Sequence, residues 1–228
     1  MGCIQLPYDI DIVMCIDATG SMGPFIDQIK ANAITFHKDF VSIQKEKGRL
    51  INEVRVRVIA FRDYLADGEN AMLMSDFFKL PEQIAQFEAL VKGIEPMGGG
   101  DDPEDGLEAL AYAIKSNWSR DGIRKRHIII VWTDAKPHAL GYGKEAPSYP
   151  PKMVKRIEEL SAWWGVDQDT NSIMDRRAKR LIIFAPDEGY WNLIANCWDN
   201  VLLYPSAAGQ GLGEENWDAI LESLVHAC

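Results

Sequence analysis

The stretch Ile10-Asp11-Ile12-Val13-Met14-Cys15-Ile16-Asp17-Ala18-Thr19-Gly20-Ser21 decides how this chain folds. Its apolar part, residues 10–16, is too short for a helix and stops at a carboxylate, followed by two hydroxyls and a glycine. A short apolar run with no polar face is what a strand buried on both sides of a parallel sheet requires. Downstream, Phe25, Ile26, Ile29, Ala33, Phe36 and Phe40 recur at helical spacing and predict a long helix that frays near Lys47-Gly48. Strand, polar loop and helix make the first unit of an α/β domain.

The unit repeats outward along the chain. Residues 54–61 predict a second strand, and 71–79 an edge strand with a turn at Ser75-Asp76. Residues 81–91 predict a helix with Pro81 in its first turn and Gly93 just past its end. A glycine loop at 97–103 leads into a helix over 103–116, opened by Pro103, Glu104 and Asp105. Residues 127–132 form the most apolar strand and end in Thr133-Asp134. A loop rich in Gly, Pro and Tyr follows at 137–151, then a helix ending at Trp163-Trp164 and a polar turn at 167–171. Strand 181–185, helix 190–198, strand 201–204 and a closing helix at 217–225 complete the pattern. Strict alternation with doubly apolar strands predicts a mostly parallel, doubly wound sheet with helices on both faces. No repeat or low-complexity linker divides residues 1–228, which predicts one domain.

Composition narrows the function classes. A chain of 228 residues, 47% hydrophobic and 25% charged, can bury a full core. With 24 basic and 34 acidic residues its formal charge is −10, so phosphate backbones and anionic lipid are repelled: no nucleic acid and no membrane are expected as partners. The basic runs 124–126 and 176–180 each precede an apolar run and read as solvated charges at the mouth of a strand. Cys3, Cys15, Cys197 and Cys228 form no CxxC pair, which argues against a disulfide framework or zinc site and for a reducing, cytoplasmic setting. The N-terminus lacks the basic and apolar regions of a signal peptide, and Leu6 stands where a myristoylation signal wants Ser or Thr. No apolar run approaches a membrane span of roughly 18 residues.

The chemistry lies in three polar loops, each expected at the carboxyl side of the sheet, where ligands bind in open parallel sheets. The first offers Asp17, Thr19 and Ser21 around Gly20; the second Asp101 and Asp102 after three glycines; the third Asp134 after Thr133. Carboxylates and hydroxyls are hard oxygen donors, and few charges with room for water suit Mg²⁺, with Mn²⁺ or Ca²⁺ as substitutes. Taken singly, Asp17 also suits a helix cap and Asp134 a turn.

Asp17-x-Thr19-x-Ser21, the loop Gly98-Gly99-Gly100-Asp101-Asp102-Pro103-Glu104 and strand-terminal Thr133-Asp134 together resemble the metal-ion-dependent adhesion site (MIDAS) of von Willebrand factor A domains. The glycine-loop form resembles A domains linked to alpha-type kinases and stand-alone bacterial ones more than integrin domains. The resemblance implies a three-layer Rossmann-like fold with one antiparallel edge strand. It also implies cation ligation by the hydroxyls of Thr19 and Ser21, with Asp17 and Asp134 acting directly or through water. The second loop of the family usually gives a threonine; here Asp101 or Asp102 takes that place. The implied function is non-enzymatic: a partner protein supplies a Glu or Asp to the cation, within an assembly such as an ATPase, kinase or phosphatase system. The family also allows a shift of the last helix, here 217–225.

Other readings compete. Asp17-Ala18-Thr19-Gly20-Ser21 is similar to the nucleophile loop of Mg²⁺-dependent phosphoaspartyl enzymes, but Asp134 lacks the second acid they need. A cation that only stabilises a structural scaffold is a further alternative. Thr19-Gly20-Ser21-Met22-Gly23 approximates a nucleophile elbow with His226 as a distant base, yet Ser21 follows the first strand. The glycine loop lacks the Walker lysine and GxGxxG spacing of nucleotide sites. His138 reads as a solvated loop histidine. Most tryptophans read as core, with Trp191 and the loop 142–149 as candidate partner surface.

Overall fold

The structure, a computed structural model, describes residues 6–100, 103–166 and 171–205, without the side chains of residues 32, 33, 36 and 37. In chain order its elements are β1 (Tyr8–Asp17), α1 (Gly23–Glu46), β2 (Ile51–Phe61), α2 (Tyr64–Asp67), β3 (Met72–Met74), β4 (Phe78–Leu80), α3 (Ile84–Lys92), α4 (Gly106–Ile114), β5 (Arg124–Trp132), α5 (Ile157–Trp164), β6 (Lys179–Ala185), α6 (Gly189–Cys197) and β7 (Val201–Pro205). The sheet runs β3-β2-β1-β5-β6-β7, with β4 also paired to β2.

β1 is central, parallel to β2 on one side and β5 on the other. Its even positions Ile10, Ile12, Met14 and Ile16 pack with Ile26, Ile29 and Phe40 of α1 and Phe87 and Val91 of α3. Its odd positions Val13 and Cys15 pack on the opposite face with α4, α5 and α6 through Leu107, Leu110, Leu160, Trp164, Trp191 and Ile194. Both faces are closed, so the period-two alternation produces two cores from one apolar run. Each fully buried aliphatic side chain contributes on the order of 1.5–3 kcal/mol.

Chain direction sets the site. From β1 the chain crosses to β2 on one flank; after the edge segments it returns to β5 on the other, so strand order reverses at β1. The loops leaving β1 and β5 therefore sit side by side at the carboxyl edge, where ligands bind in open parallel sheets.

Several expectations are refined. The antiparallel edge over 71–79 is two short segments, because Ser75 turns away and clamps β2, its N–H donating to Val58 O (3.0 Å) and its Oγ accepting from Val58 N (3.0 Å). The helix expected from Pro103 begins at Gly106, with Asp105 in the N-cap position, because Glu104 is committed to a bridge with Pro137. The run 124–126 belongs to β5 itself, where the guanidinium groups of Arg124 and Arg126 lie over the Tyr8 ring at 5.4 and 5.2 Å. Lys179 is fully buried rather than solvated: its ammonium donates to Trp164 O (2.7 Å) and pairs with Asp199 (2.7 Å). Trp191 is also fully buried, its indole N–H donating to Ala135 O (3.2 Å), and offers no partner surface. The expected helix at 217–225 lies outside the described residues. Among the described residues, no helix is long and apolar enough to cross a membrane.

Candidate metal centre

β1 stays paired one residue past its end, Ala18 N donating to Phe61 O (2.9 Å), before the chain breaks into a 3-10 turn at Gly20–Met22 that feeds α1. The turn folds back on Asp17. One carboxylate oxygen, Oδ1, accepts from Thr19 N (2.9 Å) and Thr19 Oγ1 (2.6 Å). The other, Oδ2, accepts from Thr133 Oγ1 (2.6 Å) at the end of β5. Ser21 Oγ donates to Asp134 Oδ1 (3.0 Å), and Thr19 Oγ1 and Ser21 Oγ lie 3.1 Å apart. The structure thus gathers Asp17, Thr19, Ser21 and Asp134 into one continuous chain of oxygens. Asp101 and Asp102 lie outside the described residues.

This donor set fits a small hard cation on two counts. Each hydroxyl has one proton, and both are directed at carboxylates, which leaves lone pairs on both oxygens of the Thr19–Ser21 contact. Octahedral Mg²⁺ with bonds of about 2.0–2.1 Å has oxygen–oxygen edges of about 2.9 Å; the spacings here are 2.6, 3.1 and 3.0 Å. The set holds only two carboxylates. Among the described residues, no three His, Cys, Asp or Glu side chains gather as a metal cluster. Asp17 is fully buried, and its carboxyl is pushed up to about 6, by burial first, against the hydrogen bonds from Thr133 and Thr19 and with a further push from Asp134.

The surrounding frame was not anticipated. Arg62, the residue after β2, donates to three loop carbonyls: Ala18 O (2.9 Å), Asn70 O (2.8 Å) and Glu95 O (2.8 Å). Asp63 caps α2 through Leu65 N (2.5 Å) and Ala66 N (3.1 Å), and its other oxygen meets His138 Nε2 (3.2 Å). His138 is therefore a buried partner of an acid rather than a solvated loop residue, and Tyr142 stacks on it at 3.7 Å. The glycine loop lies against the first loop through Met97 N to Ala18 O (3.0 Å) and Gly20 N to Gly98 O (3.1 Å). Gly98 and Gly99 have φ of +69° and +78°; a β-carbon on Gly98 would collide with the Asp67 carboxylate, and one on Gly99 would sit 2.8 Å from Glu104 Oε1. Glu104 is pushed up to about 9 by burial first, then by the charges of Asp17, Asp63, Asp105 and Asp67. A signal for this frame existed: Arg62-Asp63 end a strand as Asp17 and Asp134 do.

Glu108, one turn into α4, gives a prediction. It is fully buried, with Oε1 accepting from Tyr149 OH (2.8 Å) and Gly141 N (3.1 Å). Burial first, then the charge of Asp105, pushes it up from 4.5 to about 8. Between those values the folded chain holds a proton that the unfolded chain releases, so stability falls as pH rises through the window. Glu108→Gln keeps the accepting oxygen. Urea melts at about pH 5 and about pH 8.5 should show a smaller decline for the variant, by on the order of a few kcal/mol; equal declines contradict the assignment.

No family model matches the chain. The chain is similar to part of an alpha-protein kinase. That protein, vwkA of Dictyostelium discoideum, is 26% identical over 155 residues, 67% of this chain and 23% of the kinase. The putative ariadne-like RING finger protein R811 of Acanthamoeba polyphaga mimivirus is 28% identical over 129 residues, 57% of this chain and 11% of that protein. The chain thus spans under a quarter of either relative. Among solved structures, the pilus adhesin SpaC of Lactobacillus rhamnosus GG superposes with a TM-score of 0.56 at 15% identity, covering 97% of this chain and 31% of the adhesin. Proximal thread matrix protein 1 of the mussel byssus gives 0.52 at 15% identity, covering 96% and 45%. At such identities these structures speak for the fold alone. The likeness to vwkA supports a von Willebrand A-like domain.

Proposed function

We propose that this chain is a protein-binding module of the von Willebrand A type, whose three loops hold one Mg²⁺ that takes a Glu or Asp side chain from a partner protein. The observation that carries it is the run of four oxygen-bearing side chains at octahedral-edge spacing, two of them hydroxyls 3.1 Å apart. When bound, the cation supplies a Lewis-acidic position for a carboxylate. The chain's own residues do the rest. Thr133 and Thr19 fix both oxygens of Asp17, so the buried side of the site is preorganised. Ser21 is exposed and Asp134 half-buried, so the site opens outward, which favours a partner over a purely structural cation. Leu65, Met97 and Tyr142 are exposed on the loops around this edge and give apolar surface with which a partner excludes water.

A phosphoaspartyl enzyme is disfavoured, because three hydrogen bonds engage the Asp17 carboxylate that would have to attack. Both relatives are much longer proteins, an alpha-protein kinase and a RING finger protein, which supports a role inside a larger assembly. We place that assembly in the cytoplasm, where the free thiols of Cys15 and Cys197 suit reducing conditions.

A peptide array tests the reading. Peptides bearing Glu or Asp, paired with Gln or Asn counterparts, are probed with the chain in Mg²⁺ and in chelator. Capture should require Mg²⁺ and the carboxylate, and Ser21→Ala should lose it while keeping its thermal melt. Capture that survives chelation or carboxamide replacement contradicts the proposal.

A further inference from the structure

Glu104 is held more firmly than any requirement of the fold explains. Its N–H donates to Lys136 O (3.1 Å) and its carbonyl accepts from His138 N (2.8 Å), so its backbone is fixed between the glycine loop and the loop after β5. Its side chain is then aimed beneath the glycine loop. The position a Gly99 β-carbon would take lies 2.8 Å from Glu104 Oε1 and 3.1 Å from the Thr19 β-carbon, so only glycine lets this carboxyl approach the first loop. Glu104 is 5% exposed, and among the described residues its Oε2 has no hydrogen-bond donor. Among the described residues, the charges that act on it most strongly are acids: Asp17, Asp63, Asp105 and Asp67. Arg62, the buried cation of this frame, spends its donors on three carbonyls. A buried carboxylate oxygen without a donor is costly, and the described residues offer it none.

We propose that Glu104 is an outer ligand of the metal centre, its carboxylate accepting hydrogen bonds from water held on the cation by Asp17, Thr19, Ser21 and Asp134. The inference rests on the metal-binding reading above. Mg²⁺ keeps several waters, and their polarised O–H groups are the strong donors that Oε2 lacks. Outer placement also agrees with the absence, among the described residues, of a three-acid cluster in metal-holding geometry. Glu104 is a positioning residue: it orients bound water and adds a negative charge behind a site that has only two inner carboxylates among the described residues.

The test is calorimetric titration of the metal-free chain with MgCl₂ and with MnCl₂, comparing wild type, Glu104→Gln and Asp17→Ala, with thermal melts of each metal-free protein. Glu104→Gln should bind either cation about 10–100-fold more weakly, with a metal-free melting temperature equal to or above wild type because a neutral side chain of the same shape replaces a buried acid. Unchanged affinity in Glu104→Gln, with binding lost in Asp17→Ala, removes Glu104 from the centre and leaves the centre standing. Weaker binding accompanied by a lower metal-free melt makes its role structural and overturns the proposal. A folded wild type that takes up neither cation overturns the metal-centre reading and this inference with it.

Discussion

Asp17→Ala abolishes divalent-cation binding and leaves the domain folded. The carboxylate is the hub of the oxygen chain: without it, the Thr19 and Thr133 hydroxyls lose the acceptor that orients them. Affinity should fall by at least about 100-fold, beyond the range usual for an outer partner. Folding should suffer far less. Burial pushes the Asp17 carboxyl up to about 6, so the cation-free fold does not favour its charge. Truncation loses three hydrogen bonds at a net of about 0.5–1.5 kcal/mol each but also removes a buried acid beside Asp134. The two effects largely offset, and urea melts should place the variant within about 2 kcal/mol of wild type. Mn²⁺ retention in equilibrium dialysis, or loss of the cooperative melt, contradicts this account of Asp17.

The second large effect comes from a residue that touches no candidate ligand side chain. Arg62→Ala should cost about 3–5 kcal/mol of stability and weaken cation binding as well. The guanidinium is 7% exposed and joins the loop after β1, the segment before β3 and the chain leading to the glycine loop. Each bond is charge-assisted, worth about 1.5–3 kcal/mol, and truncation removes all three at once. The three contacts act as one unit, so the total is smaller than three independent bonds. Because Ala18 follows Asp17, leaving its carbonyl with Met97 N alone also loosens the site. Arg62→Lys can restore one of the three bonds and should recover only part of the loss. A variant within about 1 kcal/mol of wild type, with unchanged cation affinity, contradicts the role of Arg62 as the frame.

The fold was legible wherever burial was two-sided. β1, β5 and β6 show through the apolar runs 12–16, 128–132 and 181–185, as expected of strands covered on both faces. Legibility failed where tertiary pairing overrides local pattern. Pro103, Glu104 and Asp105 read as a first helical turn, yet the bridge from Glu104 to Pro137 holds them off the helix axis. Lys179 reads as a solvated charge because its partners, Trp164 O and Asp199, are distant in sequence or on another strand's approach. His138 was misread for the same reason: Asp63, which holds it, lies 75 residues away.

Half of the site could be read and half could not. Asp17, Thr19 and Ser21 are legible because a single turn places them together, and Asp134 because it ends the strand that must lie near β1. Arg62 and Asp63 also end a strand, but only the order β2-β1-β5 shows that their loop borders the same edge. Glu104 was taken for a helix-opening acid; that its carboxyl slips under Gly99 depends on backbone conformation, which composition does not reveal.

The most direct measurement is a crystal of the chain soaked in Mn²⁺ and recorded for anomalous scattering. One peak within bonding distance of the Thr19 and Ser21 hydroxyls, and absent from crystals of Asp17→Ala, is the predicted result. A map with no peak between the loops after β1 and β5, or with its peak elsewhere on the molecule, contradicts the metal-centre account.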